Sequence, residues 1–326
     1  MPNVFSVTVD QIKGLAILLV VLGHINSPIG DLIFTFHVPL FFFLAGVFIK
    51  SSYSGTAYLS KGMHRLLIPF LIFAPLGLLI TSIKNVILHR PLESVEQGLS
   101  GFLYWMDASH MHHYGFVLWF LPALFWGRAF VFFAAKYLKL HPAVLVVVSA
   151  ALAWLTAHYV TLPFGLDKGL VALPWIMMGY VFYQYHERWL STGWFGIVII
   201  SCLLVLIVYF GGLQRLDLAT KDIGNLFFSF PYTLLVILLL FGLFSQCNFH
   251  FKPNVNRAMN VLTQFGRNSM LVMVLHVYTN NAADIVVNHY LGFGYWFVTF
   301  ILSVFTVFIV IKIKQHYPES IFFKYL

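Results

Sequence analysis

Residues 192–211 read TGWFGIVIISCLLVLIVYFG, a run without one charged side chain. A helix needs about 20 mostly apolar residues to cross the hydrocarbon core of a bilayer. Inside that core a backbone finds no water, so only helices and closed barrels satisfy its N–H and C=O groups. The run lacks the apolar/polar alternation of a barrel strand, so it reads as a helix. Residues 228–246 repeat the pattern. Working outward, similar runs fall at 9–27, 31–49, 65–84, 115–135, 142–161, 168–185, 268–287 and 291–311, which makes ten. Boundaries are weakest at 115–135, where Arg128 intrudes, and at 168–185. The expectation is an all-α polytopic membrane protein, a bundle of about ten transmembrane helices forming a single integral-membrane domain over 1–326.

Composition agrees. Of 326 residues, 60% are hydrophobic, 18% aromatic and only 9% charged, against about 25% charged in a soluble domain. A mean hydropathy of +0.86 leaves too little polar surface to cover a water-facing globule. Disorder, a coiled coil and a secreted disulfide scaffold are excluded on the same grounds. Cys202 and Cys247 are the only cysteines and read as small apolar residues. The net charge of +8 is spread in small groups with no basic arm, which argues against a nucleic-acid partner and for membrane topology. The stretch before the first run has no Lys or Arg, and no small-x-small cleavage site follows Val20–Gly23. The first run is therefore expected to be a retained helix rather than a signal peptide.

With the N-terminus in the cytoplasm, the inner side holds Lys50, Lys61, Arg65, Arg128, Lys136, Lys139, Arg188, Lys252, Arg257, Arg267, Lys312, Lys314 and Lys324. The outer side holds Lys84, Arg90, Lys168, Arg215 and Lys221. Thirteen inside, five outside and Lys13 within a span account for all 19 basic residues. This bias supports an even number of spans with both termini cytoplasmic. Asp31, Glu93, Glu96, Asp107, Asp167, Asp217 and Asp222 fall outside. No sequence repeat or low-complexity tract is visible.

Ionisable groups at membrane depth are costly and mark functional positions. Lys13 and His24 share the first span. Eleven residues apart, they lie within about 20° of one stripe and roughly 16 Å apart along the axis. Asp10, three residues before Lys13, is placed to pair with it. Lys13 alternatively snorkels to the headgroups, and His24 alternatively bonds a neighbouring helix. His37 stands beside Pro39, which frees a backbone carbonyl one turn earlier; the imidazole either satisfies such a group or lines a cavity. His276, with Asp284 eight residues on, reads as packing glue or as a site residue. His110, His112 and His113 beside Asp107 suggest a metal but fit a solvated loop better, so no metal site is expected. Trp105, Tyr114 and Trp119 suit an interface, and also suit stacking on a sugar ring. Lys61, His64 and Arg65 open the third span, as topology signals or as a phosphate site. No Gly-rich phosphate cradle, zinc-protease helix or G-x-S-x-G elbow is present.

The stretch Val9-Asp10-Gln11-Ile12-Lys13-Gly14, followed by Val20-Val21-Leu22-Gly23-His24, resembles the opening of the membrane acyltransferase-3 family. That opening is Asp-x-x-(Lys/Arg)-Gly with a histidine after ten intervening positions. Phe36-His37-Val38-Pro39-Leu40-Phe41-Phe42-Phe43-Leu44-Ala45-Gly46 is similar to a signature of its fucose 4-O-acetylase-like branch. Leu118-Trp119-Phe120-Leu121-Pro122 and Gly266-Arg267-Asn268-Ser269-Met270-Leu271, through His276, resemble two further landmarks in order. Two positions depart: the family's Arg-x-x-Arg is Lys61 and Arg65 with His64 between, and the signature serine is Ala45.

The resemblance implies a bacterial inner-membrane, multi-pass O-acyltransferase. Such enzymes move an acyl group, usually acetyl, from cytoplasmic acetyl-CoA to a hydroxyl of an extracytoplasmic or lipid-linked glycan. Acetyl-CoA is then a substrate and no cofactor is permanently bound. It implies His24 as general base or as a transiently acylated relay, tasks suited to an imidazole. Lys13, held by Asp10, attracts the donor or stabilises developing charge. His37, His276 and Trp119 orient His24 or bind the acceptor, and Lys61, Arg65 and Arg128 hold donor phosphates. The rival readings are a transporter or flippase, which membrane His, Lys and Asp residues would serve equally, and a non-catalytic partner in a polysaccharide assembly. The oligomeric state is open.

Overall fold

A computed structural model describes residues 4–92, 94–106, 114–250, 257–292, 294–320 and 323. The described chain is helical throughout apart from loops and one isolated bridge, Asp217 with Asp222. The helices are α1 Val4–Gly23, α2 Gly30–Phe34, α3 His37–Val47, α4 Gly55–Gly62, α5 Ile68–Ile87, α6 Val95–Ser100, α7 Phe120–Tyr137 and α8 Pro142–Tyr159. Then come α9 Leu166–Val171, α10 Leu173–Leu190, α11 Gly193–Gly211, α12 Leu226–His250, α13 Arg257–Arg267, α14 Ser269–Tyr290 and α15 Trp296–His316.

Among the described residues nine helical segments are long and apolar enough to cross a membrane. They correspond to nine of the ten expected runs. The remaining run, 168–185, is helical as α9 and α10, but its apolar pattern fails after Phe182, where Tyr183-Gln184-Tyr185-His186-Glu187-Arg188 follows. Asp167 and Lys168 at its start are buried. Lys221 lies 3.3 Å from the Asp167 carboxylate and fastens the 212–225 loop there.

Three other runs differ in detail from the sequence reading. The run 31–49 is a broken helix, interrupted at Thr35 and Phe36 between α2 and α3. Pro39 has no N–H for the Thr35 carbonyl, and the Thr233 hydroxyl donates to that carbonyl instead, at 3.3 Å. The third run begins early, at Gly55, and passes through a π-helical turn at Met63–Leu67. The fourth opens as a 3-10 turn, Tyr114–Trp119, before α7.

The most apolar run is not the core. Only 17% of the apolar window of α11 is buried inside the protein, against 72% for Tyr114–Tyr137. Lipid is as apolar as a leucine side chain, so hydrophobicity does not drive helices together in a bilayer; close packing and hydrogen bonds do. Helix α1 uses both. A Cβ on Gly14 would overlap the Leu262 carbonyl of α13, and one on Gly266 would overlap the Asp10 carbonyl of α1. Toward one end of α1, the Asn248 amide donates to Thr8 Oγ1 at 2.9 Å and to Gln11 Oε1 at 2.7 Å. Toward the other, Asn280 of α14 donates to the Val21 carbonyl at 2.9 Å and accepts from Ser303 Oγ at 2.6 Å. These ties fix α1 between α12, α14 and α15, and α1 carries Lys13 and leads into His24.

Candidate functional site: three chambers along the first helix

His24 follows the last residue of α1, with its backbone N–H still bonded to the Val20 carbonyl. The break between α2 and α3 brings His37 to the same level. Its Nδ1 lies 2.8 Å from the Ile33 carbonyl. A carbonyl only accepts, so the proton is on Nδ1 and the Nε2 lone pair of the neutral ring is left free. His276 repeats this arrangement: Nδ1 donates to the Met273 carbonyl at 2.7 Å, and Nε2 is buried with no partner in the protein. The His24 and His276 ring centroids are 5.2 Å apart. His37 and His276 are buried, whereas His24 is exposed.

The three imidazoles and Trp119 line one cavity of about 40 Å³, closed by Phe41, Phe116, Phe120 and Met273. Phe34 stands beside it, with its ring edge-on to His24 at 6.0 Å and to His37 at 4.8 Å. The Arg215 guanidinium covers Phe34 at 4.3 Å and pairs with Asp31 at 2.9 Å.

At the Lys13 level a larger chamber of about 400 Å³ opens. Lys13, Lys50, Lys61, Arg65 and Arg128 all line it, and among the described residues no carboxylate does. Such an excess of one sign, focused by low-dielectric walls, attracts anions. Tyr58 stacks on Phe132 with ring centroids 4.0 Å apart, and Arg128 lies 5.7 Å over the Tyr58 ring. The Arg128 Nε is buried without a hydrogen-bond partner among the described residues, and the Tyr58 hydroxyl lies within reach of the Arg128 guanidinium. Lys61 bonds the Tyr53 hydroxyl at 3.4 Å. Asp10 lies outside the lining and holds it in place, 3.1 Å from Lys13 and 3.1 Å from Arg267.

A third, apolar chamber of about 160 Å³ lies between these two. It shares Lys13 and Phe48 with the basic chamber, and Phe41, Phe120 and Met273 with the imidazole chamber. Ala45, in the signature serine position, is part of its wall.

The expected site residues thus divide into two groups. Lys13, Lys61, Arg65 and Arg128 line the basic chamber. His24, His37, His276 and Trp119 line the imidazole chamber. Asp10 belongs to neither wall and supports Lys13. Lys13 does not simply snorkel: it is ion-paired and lies 5.2 Å over the Phe48 ring. His37 bonds the Ile33 carbonyl rather than the one freed by Pro39. His276 and Asp284 do not act together, since Asp284 is exposed and the tie between helices is Asn280. Asp107, His110, His112 and His113 lie outside the described residues. Among the described residues no group of three or more His, Cys, Asp or Glu is placed to hold a metal. Sequence reasoning missed Lys50 and Tyr58, as well as Phe41, Phe120 and Met273, which line both the apolar and the imidazole chamber. Lys50 carried only a topology signal, and the aromatic residues only hydrophobicity.

A multi-pass helical membrane protein thus carries a cationic chamber at the Lys13 level and a cluster of three imidazoles at the His24 level. The chain belongs to the acyltransferase-3 family, whose acyltransferase-domain model matches residues 7–313, and it is a membrane acyltransferase. No curated protein and no solved structure matches the chain.

Proposed function

We propose that this protein is an O-acetyltransferase of the bacterial inner membrane. It takes acetyl from cytoplasmic acetyl-CoA and delivers it to a hydroxyl of an extracytoplasmic or lipid-linked glycan. On this reading the basic chamber faces the cytoplasm, both termini lie on that side, and α9 with α10 supplies a tenth crossing. The similarity of 36–46 to fucose 4-O-acetylase-like proteins favours a sugar hydroxyl as acceptor. The observation that carries the proposal is the series of three chambers with shared walls, from five cations at one end to three imidazoles at the other.

Lys61, Arg65 and Arg128 hold the phosphates of the donor, with Lys50 beside them. Lys13, at the junction with the apolar chamber, adds positive charge that draws the anionic donor toward it. His24 takes the proton of the acceptor hydroxyl as its oxygen attacks the acyl carbon. The C–S bond breaks, the C–O bond forms, and the proton passes to the departing thiolate. In the relay variant His24 itself carries the acyl group between the two halves of the reaction. His37 and His276, with Nδ1 protons committed to carbonyls, present Nε2 acceptors that orient the hydroxyl or His24. Trp119, in the same wall, shapes the approach of the acceptor hydroxyl. Acetyl-CoA is a substrate, and no resident cofactor is required.

The test uses purified protein in liposomes, with labelled acetyl-CoA on one side and an oligosaccharide acceptor on the other. Label should cross to the acceptor with wild-type protein and not with His24→Ala that inserts normally. Transfer undiminished in His24→Ala would sink the mechanism. Labelled His24 trapped without acceptor distinguishes the relay from direct transfer.

A further inference from the structure

The chambers differ in size where they meet. The apolar chamber encloses about 160 Å³ and the imidazole chamber about 40 Å³. One water occupies roughly 10–15 Å³ by such a measure, so the smaller chamber has room for about three heavy atoms and the larger for about a dozen. An acetyl group has two carbons and one oxygen. It fills the smaller chamber, whereas a propionyl or butyryl group overfills it yet fits the larger one.

The two chambers share Phe41, Phe120 and Met273, all at least nine-tenths buried. The Phe41 and Phe120 rings meet edge-on, with centroids 5.9 Å apart. Paired rings in tight packing are stiff, so they make a rigid partition between the two chambers. Met273 is the unbranched, adaptable member of the three. Its backbone is fixed by α14, and its carbonyl holds the His276 ring.

We infer that Phe41, Phe120 and Met273 form a gate that selects the acyl group by length after the donor has bound, not while it binds. The inference rests on the acyl-CoA donor reading above. A longer acyl-CoA enters the basic and apolar chambers as readily as acetyl-CoA, but its acyl carbon does not reach the imidazoles. Each added methylene beyond a filled pocket costs about tenfold or more in transfer. Length selection therefore appears in kcat, with KM nearly unchanged. The apolar wall at Ala45 suits this role, since a serine hydroxyl there would face hydrocarbon.

The experiment measures kcat and KM for acetyl-, propionyl- and butyryl-CoA with wild type, Met273→Ala and the milder Phe41→Leu in proteoliposomes. For wild type the expected result is a kcat for butyryl-CoA at least tenfold below that for acetyl-CoA, with KM within threefold. Butyryl-CoA should also inhibit acetyl transfer competitively. Either gate variant, if it inserts and folds, should narrow the kcat gap at least fivefold and leave the KM ratio alone. Equal kcat across the three donors in wild type would overturn the gate. So would discrimination confined to KM, or a gap unchanged in every folded variant. Consumption of no acyl-CoA at all by wild type would remove the donor reading itself, and the gate with it.

Discussion

The basic chamber and the imidazole chamber sit about 16 Å apart along one helix and are built on opposite principles. The first is about ten times larger and is lined by five cations, with no carboxylate in its wall among the described residues. The second has three imidazoles and no Lys, Arg, Asp or Glu among the described residues of its wall, and two of the imidazoles have their Nδ1 protons committed to carbonyls. On the proposed reading, charge is placed where a bulky anion is caught, and kept out of the place where a proton moves.

The contrast breaks most visibly at His24. His24→Ala should lower kcat at least about a hundredfold, the usual floor for a lost general base, with KM for acetyl-CoA little changed. Steady-state kinetics in proteoliposomes checks both. A variant that raised KM and spared kcat would mean that the two chambers do not divide binding and chemistry as proposed.

A structural change should strike both chambers. Gly14→Ala places a Cβ against the Leu262 carbonyl, and overpacking of this kind costs about 1–3 kcal/mol. The unfolding midpoint in detergent should fall. A wild-type midpoint would show that α1 and α13 do not meet at backbone contact.

At the basic chamber the effect should be confined to binding. Arg65→Ala should raise KM for acetyl-CoA about tenfold, which corresponds to about 1.5 kcal/mol for one hydrogen bond to a charged group. The kcat should hold, and wild-type KM should rise with added salt, since exposed charges are screened. A KM insensitive to both salt and Arg65 would detach this chamber from the donor.

The sequence exposed these two regions unequally. The ends were legible because their residues are anomalous: Lys13, Arg128 and His276 stand out against leucine and phenylalanine, and the cost of placing them there makes each a signal. Nine of the spans were legible for the same reason in reverse, as runs without anomalies. The passage between the ends was not, because Phe41, Phe120 and Met273 look like any other apolar residue until tertiary packing aligns them. Nor was the break at Thr35 and Phe36, where Pro39 marked a kink but not its depth. The run 168–185 is the least legible, because Leu170 to Phe182 is apolar while the polar residues after it belong to the same helix. Even α11, the clearest span, proved to be mostly outside the core, since hydrophobicity identifies a crossing and does not say which helices pack together.

The smallest predicted effect separates positioning from chemistry. Asn280 is the tie that holds α14 against the end of α1, one helical turn beyond His276, and its partners are the Val21 carbonyl and Ser303. A hydrogen bond between membrane helices contributes about 0.6 kcal/mol on average, so Asn280→Ala should lower stability by roughly that much. Its effect on turnover should still be measurable, because His24 and His276 are only 5.2 Å apart and belong to the two elements this bond joins. The expected outcome is a several-fold fall in kcat with KM for acetyl-CoA unchanged, partly restored in Asn280→Gln. If Asn280→Ala instead raised KM alone, the bond would be serving the basic chamber at the far end of α1, and the division of labour between the chambers would not hold.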